Sequence, residues 1–238
     1  MNGQKIAVVT GSSKGIGLEI ARQLAQQGIQ VLAGVRDKAK GEALLKALPG
    51  LPVRPVMLEM TNPAHQQQVF ELISREYGRL DILVNNAGIL PDQGTKPSSI
   101  AMEMIRETFE TNFFQVISFT QLLLPLLHKS EAGRIVNVSS ILGSLTVNSD
   151  PSGGTWDLLA YNSSKAALNM FTILLAKELK HTNIKVNSAH PGWVQTDLGG
   201  KGAPLTPAEG AITPVGLATL AADGPTGSFY YYQEILPW

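Results

Sequence analysis

The chain has 238 residues, 44% hydrophobic and 16% charged, which suits one well-buried soluble domain over 1–238 with no linker-like stretch dividing it. Nineteen basic residues balance nineteen acidic ones, so no polyanion-binding surface and no nucleic-acid partner is expected. The absence of cysteine excludes disulfides and thiolate metal sites and fits a reducing, cytoplasmic setting.

The N-terminal residues pass straight into an apolar strand with no leader-like segment. Strand-like runs follow at Ile6–Thr10, Gln30–Val35, Val53–Leu58, Ile82–Val84, Arg134–Ser139, Ile184–Ala189 and Ser228–Tyr232. Helical patterns lie between them near 15–28, 38–48, 63–77, 100–128, 158–181 and 207–222. Several strands are apolar on successive residues, as in Ile6-Ala7-Val8-Val9, which is expected when helices cover both faces. This alternation predicts a single-domain α/β Rossmann fold, a doubly wound seven-stranded parallel sheet. The richest apolar run, Phe113–Leu127, is interrupted by Gln115, Ser118, Thr120 and Gln121, so no membrane span is expected. Two loop-like stretches, 144–155 and 199–207, follow strands and should lie at the carboxyl edge of the sheet, where such folds bind ligands.

Two patterns carry chemistry. Thr10-Gly11-Ser12-Ser13-Lys14-Gly15-Ile16-Gly17 follows a buried strand and opens a helix. Its glycines permit a tight turn and close approach to a pyrophosphate, for which the helix N-terminus supplies amide donors. The spacing is not that of the commoner G-x-G-x-x-G, nor of a P-loop. Far along the chain, Tyr161 and Lys165 stand four residues apart on one helical face. An ammonium there is expected to lower the phenol's pKa from about 10 and make it a proton donor or acceptor near neutral pH.

Together with Asn85-Asn86-Ala87-Gly88 and a serine after the fifth strand, these motifs resemble the short-chain dehydrogenase/reductases, in the family's order and across essentially the whole chain. The resemblance implies a catalytic set of Asn112, Ser140, Tyr161 and Lys165. Ser140 is chosen over Ser139 because it precedes an apolar-x-Gly step, Ile141-Leu142-Gly143. In that set Tyr161 is the acid or base, Lys165 also binds the nicotinamide ribose, Ser140 polarises the carbonyl, and Asn112 holds a water in the proton relay. Cofactor contacts are implied for Gly11, Ser13, Lys14, Gly15, Ile16, Gly17, Arg36, Glu59, Met60, Asn86, Ala87 and Gly88. Tyr161, Lys165, Pro191, Gly192, Val194 and Thr196 complete that set.

Charge argues the choice of cofactor. NAD-dependent members of the family place an acid at the end of the second strand to bind the ribose 2′-hydroxyl; here Gly34 takes that place, with Arg36 two residues on and Lys14 in the glycine loop. Two cations suit a 2′-phosphate, so NADP(H) is expected, with Asp37 as the alternative acid if the strand ends later. One departure from the family is Glu59 where an aspartate usually meets the adenine. The four histidines show no ligand spacing, and no metal is expected.

Pro191-Gly192-Trp193-Val194-Gln195-Thr196-Asp197-Leu198 and the segments after it resemble the family's carbonyl reductase branch, as does the long approach from Ser140 to Tyr161. The implied activity is NADPH-dependent reduction of a hydrophobic aldehyde, ketone or quinone, reversible as a secondary-alcohol dehydrogenase. The pocket wall is expected from 141–159 and 193–207, with Leu142, Trp156, Trp193 and Leu198 prominent. A catalytically idle NADP(H) sensor is the alternative, and a sugar-nucleotide epimerase or dehydratase would need a larger substrate domain. Monomer and homo-oligomer both remain open.

Overall fold

The structure, a computed structural model, describes residues 3–151 and 156–238. The first half runs β1 (Ile6–Val9), α1 (Gly15–Gln26), β2 (Gln30–Val35), α2 (Lys38–Ala47), β3 (Val53–Met57), α3 (Pro63–Glu76) and β4 (Ile82–Asn85). It continues with α4 (Met102–Phe109), a π turn (Glu110–Phe114), α5 (Gln115–Leu127), β5 (Arg134–Val138), α6 (Leu145–Asn148), α7 (Leu159–Glu178) and β6 (Lys185–Ala189). Then come α8 (Pro207–Gly210), α9 (Ile212–Ala218), β7 (Phe229–Tyr231) and β8 (Glu234–Ile235).

One sheet in the order β3-β2-β1-β4-β5-β6-β7-β8 organises these elements. β1 to β7 are mutually parallel, as the sequence pattern predicts. An eighth, two-residue strand joins antiparallel to β7 across a turn at Tyr232, whose φ is 52°. That strand is too short to show a period, so the sequence reading has seven.

The apolar run of β1 is explained by its central position. Ala7 and Val9 enter one core layer with Ile20 and Leu24 of α1, whereas Ile6 and Val8 enter the other with Ile73, Phe119 and Leu123. Alternate residues thus serve opposite faces, and no position is left for a polar side chain. Polar residues in the neighbouring strands are paired. Asn85 Nδ2 donates to Thr120 Oγ1 at 3.0 Å and to Asn137 Oδ1 at 2.9 Å, and Asn137 Nδ2 donates to Thr172 Oγ1 at 2.8 Å. Ser188 Oγ extends the chain to Thr172 at 2.9 Å, so hydrogen bonds tie β4, β5 and β6 to α5 and α7 through the core.

Two helices differ from the expected spans. The pattern at 100–128 divides into α4 and α5 around the π turn, which contains the buried Asn112. The pattern at 207–222 breaks after Gly210 and ends at Ala218. Pro214 has no amide to donate to the Gly210 carbonyl, and the break falls there. No helix among the described residues is long and apolar enough to cross a membrane.

The chain winds outward from β1 to β3 and then crosses back to β4 on β1's other edge. Val9 is in register with Ala33 on one side and Val84 on the other, so the loops leaving β1, β2 and β4 open at the same level. At this switch point the connections part, and a cleft of about 1300 Å³ lies above the strand ends.

Candidate active site

The glycine loop forms the cleft's floor. Gly11 and Gly15 have φ of +66° and +58°, the left-handed region that favours glycine. A Cβ on Gly17 would run into the Gly11 carbonyl and Asn86 Nδ2. The Asn86 side chain is a strut: Nδ2 donates to the Thr10 carbonyl at 2.9 Å, and the Thr10 hydroxyl accepts from the Asn86 and Ala87 amides at 2.9 Å each. α1 has no side-chain cap at Lys14 and no acid in its first turn, and its first residues, Gly15 to Gly17, line the cleft. This floor fits a dinucleotide pyrophosphate in shape and in sign.

All sixteen residues expected to serve only the cofactor line the cleft, from Gly11, Ser13, Lys14, Gly15, Ile16 and Gly17 through Arg36, Glu59, Met60, Asn86, Ala87 and Gly88 to Pro191, Gly192, Val194 and Thr196. β2 stops at Val35, and a Cβ on Gly34 would sit 3.0 Å from Leu58 Cδ2 and 3.1 Å from the Val9 carbonyl, so a side chain there would have to push its neighbours aside. Asp37 is not in the lining. It caps α2, accepting from the Lys40 amide at 2.8 Å, and this bond with the Lys40 side chain holds its carboxyl below the usual range. Arg36 is exposed at the rim, and Lys14 pairs with Asp197 across the mouth.

The four residues expected to be catalytic come together from three elements. Tyr161 and Lys165 project from the first turns of α7, Ser140 follows β5, and Asn112 sits in the π turn. Ser140 hydrogen-bonds the Tyr161 phenol, whereas the Ser139 hydroxyl turns to the Lys165 carbonyl at 3.4 Å. Asn112 is fully buried and does not line the cleft. Its Oδ1 accepts from the Ile89 amide at 2.8 Å, and its Nδ2 donates to the Ile89 carbonyl at 2.9 Å and to Ser164 Oγ at 3.1 Å. A Cβ on Gly88 would lie 3.3 Å from Asn112 Oδ1 and 3.6 Å from Lys165 Nζ, so glycine keeps that corner open.

The electrostatics depart from the expectation of a lowered phenol pKa. Burial pushes Tyr161 up to about 12, a shift opposed by the Ser140 hydrogen bond and reinforced by the Asp92 charge. Lys165 does not reverse it, because burial lowers its own pKa to about 8 and its Nζ donates to the Val138 carbonyl at 2.9 Å. His190 also lines the cleft; burial lowers it to about 4, and its Nδ1 accepts from the Ile141 amide at 3.3 Å.

The outer wall is apolar and aromatic. Leu142, Trp156, Trp193 and Leu198 all line it, and the two indoles meet edge to face with centroids 5.5 Å apart. Gly153 and Gly154, part of the long approach to Tyr161, lie outside the described residues. No group of three or more His, Cys, Asp or Glu with metal-holding geometry occurs among the described residues. Asp92, which the sequence reading passes over, is buried beside the start of α7 and accepts from the Ala160 and Tyr161 amides.

Comparison with known proteins identifies the family. The family model described as short chain dehydrogenase matches residues 5–204. Carbonyl reductase [NADPH] 1 of Mus musculus is 34% identical over 277 residues, covering 98% of this chain and 98% of its own. The structure of NADPH-bound carbonyl reductase from chicken fatty liver superposes with a TM-score of 0.85 at 27% identity, covering 100% of both chains. Salutaridine reductase from Papaver somniferum gives a TM-score of 0.83 at 31% identity, covering 95% of this chain and 99% of that one. With that match spanning most of its length, the chain belongs to the short-chain dehydrogenase family and is a carbonyl reductase-like oxidoreductase.

Proposed function

We propose that the protein is an NADPH-dependent reductase of hydrophobic aldehydes, ketones or quinones, working in reverse on secondary alcohols. The observation that carries this reading is the meeting of Ser140, Tyr161 and Lys165 in one cleft with the glycine loop. When bound, the nicotinamide would supply the hydride. The chain's own residues do the rest. The Ser140 hydroxyl polarises the substrate carbonyl, and the Tyr161 phenol, kept protonated by burial, donates its proton as the oxygen gains charge. A raised phenol pKa favours this reductive direction, because the donor stays loaded across the neutral range.

Arg36 and Lys14 would meet the 2′-phosphate, Lys14 exchanging Asp197 for it. The names of the relatives support NADPH, and the cation pair, with Gly34 at the end of β2 where an acid would stand, supports it independently. The Trp156–Trp193 wall supports an apolar substrate.

The test is NADPH oxidation across a panel of aromatic and aliphatic aldehydes, ketones and quinones, repeated with NADH. Turnover of bulky apolar carbonyls with NADPH is expected. Tight NADPH binding with no turnover on any member would favour a sensor instead.

A further inference from the structure

We propose that Asp92 is a positioning residue for Tyr161: its buried carboxylate holds the first turn of α7 from the loop after β4 and so sets both where the phenol stands and the charge it feels. The inference rests on the reading of Tyr161 as proton donor.

α7 lacks a local cap. Leu158 stands at its N-cap position and offers no side-chain acceptor. The Ala160 and Tyr161 amides are instead taken by Asp92 Oδ2, at 2.8 and 3.3 Å, from a loop 68 and 69 positions earlier in the chain. That loop is itself pinned, because the Asp92 carbonyl accepts from Thr95 Oγ1 at 2.8 Å and from the Thr95 amide at 3.2 Å. Asp92 follows the Asn86–Gly88 segment closely, so the arrangement ties the helix bearing Tyr161 and Lys165 to the strand end that lines the cleft.

Stability alone does not account for a carboxylate here. Asp92 is 0% exposed, and its Oδ1 is buried with no hydrogen-bond partner among the described residues. A serine or asparagine at position 158 would cap the helix without burying a charge. Only a long-range cap, however, fixes Tyr161 relative to the loop after β4, and only a carboxylate adds a negative charge at the base of the residue that carries the phenol. That charge acts to keep the phenol protonated. The other ionisable groups at the reacting end of the cleft are Lys165 on the same helix, His190 after β6, and Glu107 and Glu110 from α4 and the π turn.

Two substitutions separate geometry from charge. Asp92→Asn retains an oxygen for both amides and removes the charge; Asp92→Ala removes both. Tyr161 is followed by NMR in protein labelled with 13Cζ-tyrosine, its signal identified by loss in Tyr161→Phe, a readout that needs no turnover. In Asp92→Asn the phenolate fraction at pH 11 is expected to rise about threefold over wild type, with the melting temperature retained. In Asp92→Ala, kcat for the best carbonyl of the panel is expected to fall at least about tenfold with the KM for NADPH unchanged, and Asp92→Asn to recover most of it at neutral pH. An unchanged Tyr161 titration in Asp92→Asn overturns the proposal even if Asp92→Ala does not fold. Full kcat in a folded Asp92→Ala overturns it too. A wild type that reduces no carbonyl refutes the proposed activity, and the titration still decides whether Asp92 governs Tyr161.

Discussion

Lys165 stands over Tyr161 without bonding it: its Nζ lies 5.6 Å from the ring centre and donates instead to the Val138 carbonyl. The four-residue spacing therefore produces a through-space pair on the wall of the cleft. The ammonium carries the cost of burial, and this has a measurable consequence for stability.

Burial lowers Lys165 from 10.5 to about 8. Between those values the unfolded chain binds the proton and the folded one does not, so stability should rise with pH from about 8 to 10.5. Below pH 8 the ammonium is a steady cost. Lys165→Met is expected to raise stability at pH 7 by about 2 kcal/mol, less than the full shift because the Val138 carbonyl loses its donor, and to flatten the rise between pH 8 and 10. Above pH 10 Tyr161 acts in the opposite sense, since its pKa is raised and its contribution fades as pH climbs through 12. Thermal melts followed by circular dichroism from pH 7 to 10 check this, and a less stable variant at pH 7 would refute it. Turnover should be lost in either event.

Tyr161→Phe deletes one hydroxyl from a ring already seated in the cleft wall. NADPH affinity, measured by calorimetry, is expected to stay within about twofold of wild type, and kcat to fall by about a thousandfold. Retained turnover would remove Tyr161 from the proton path.

Arg36 and Lys14 are the cations at the rim that the 2′-phosphate would meet. Arg36→Ala is expected to lower kcat/KM for NADPH by about ten- to a hundredfold and to leave NADH almost unaffected. Asp197→Asn frees Lys14 from its ion pair and should lower the KM for NADPH. A wild type that prefers NADH would end this line of reasoning.

The contrast between Tyr161 and Asp92 shows what the sequence makes legible. The sheet is readable because β1, β2, β4, β5 and β6 bury nearly whole runs, and the glycine loop because its three glycines stand between a buried strand and a helix. Tyr161, Ser140 and the Pro191–Thr196 segment are found through ordered motifs. Asp92 carries no such mark, since its partners on α7 lie 68 and 69 positions further on and Asp157 would pass for the local cap of the same helix. The upward shift of the phenol is equally hidden, because spacing records which groups are near and not how deeply they are buried. The break after Gly210 is readable only once Pro214 is counted against the helix, as the apolar period runs through it.

His190 offers a test of burial that does not depend on turnover. Its ring lies 5.1 Å from that of Tyr231, its Nδ1 accepts from the Ile141 amide, and burial lowers its pKa from 6.5 to about 4. From pH 6.5 down to 4 the unfolded chain takes up a proton that the folded chain refuses, so stability should fall across that window by up to about 3 kcal/mol. His190→Gln keeps an acceptor near Ile141 and cannot titrate. Its urea midpoint should therefore stay closer to constant between pH 6.5 and 4 than that of wild type. An equal slope in both proteins would mean that His190 takes up its proton in the fold as readily as in the unfolded chain, and with Nδ1 no longer free to accept, the bond to Ile141 would be lost as it did so.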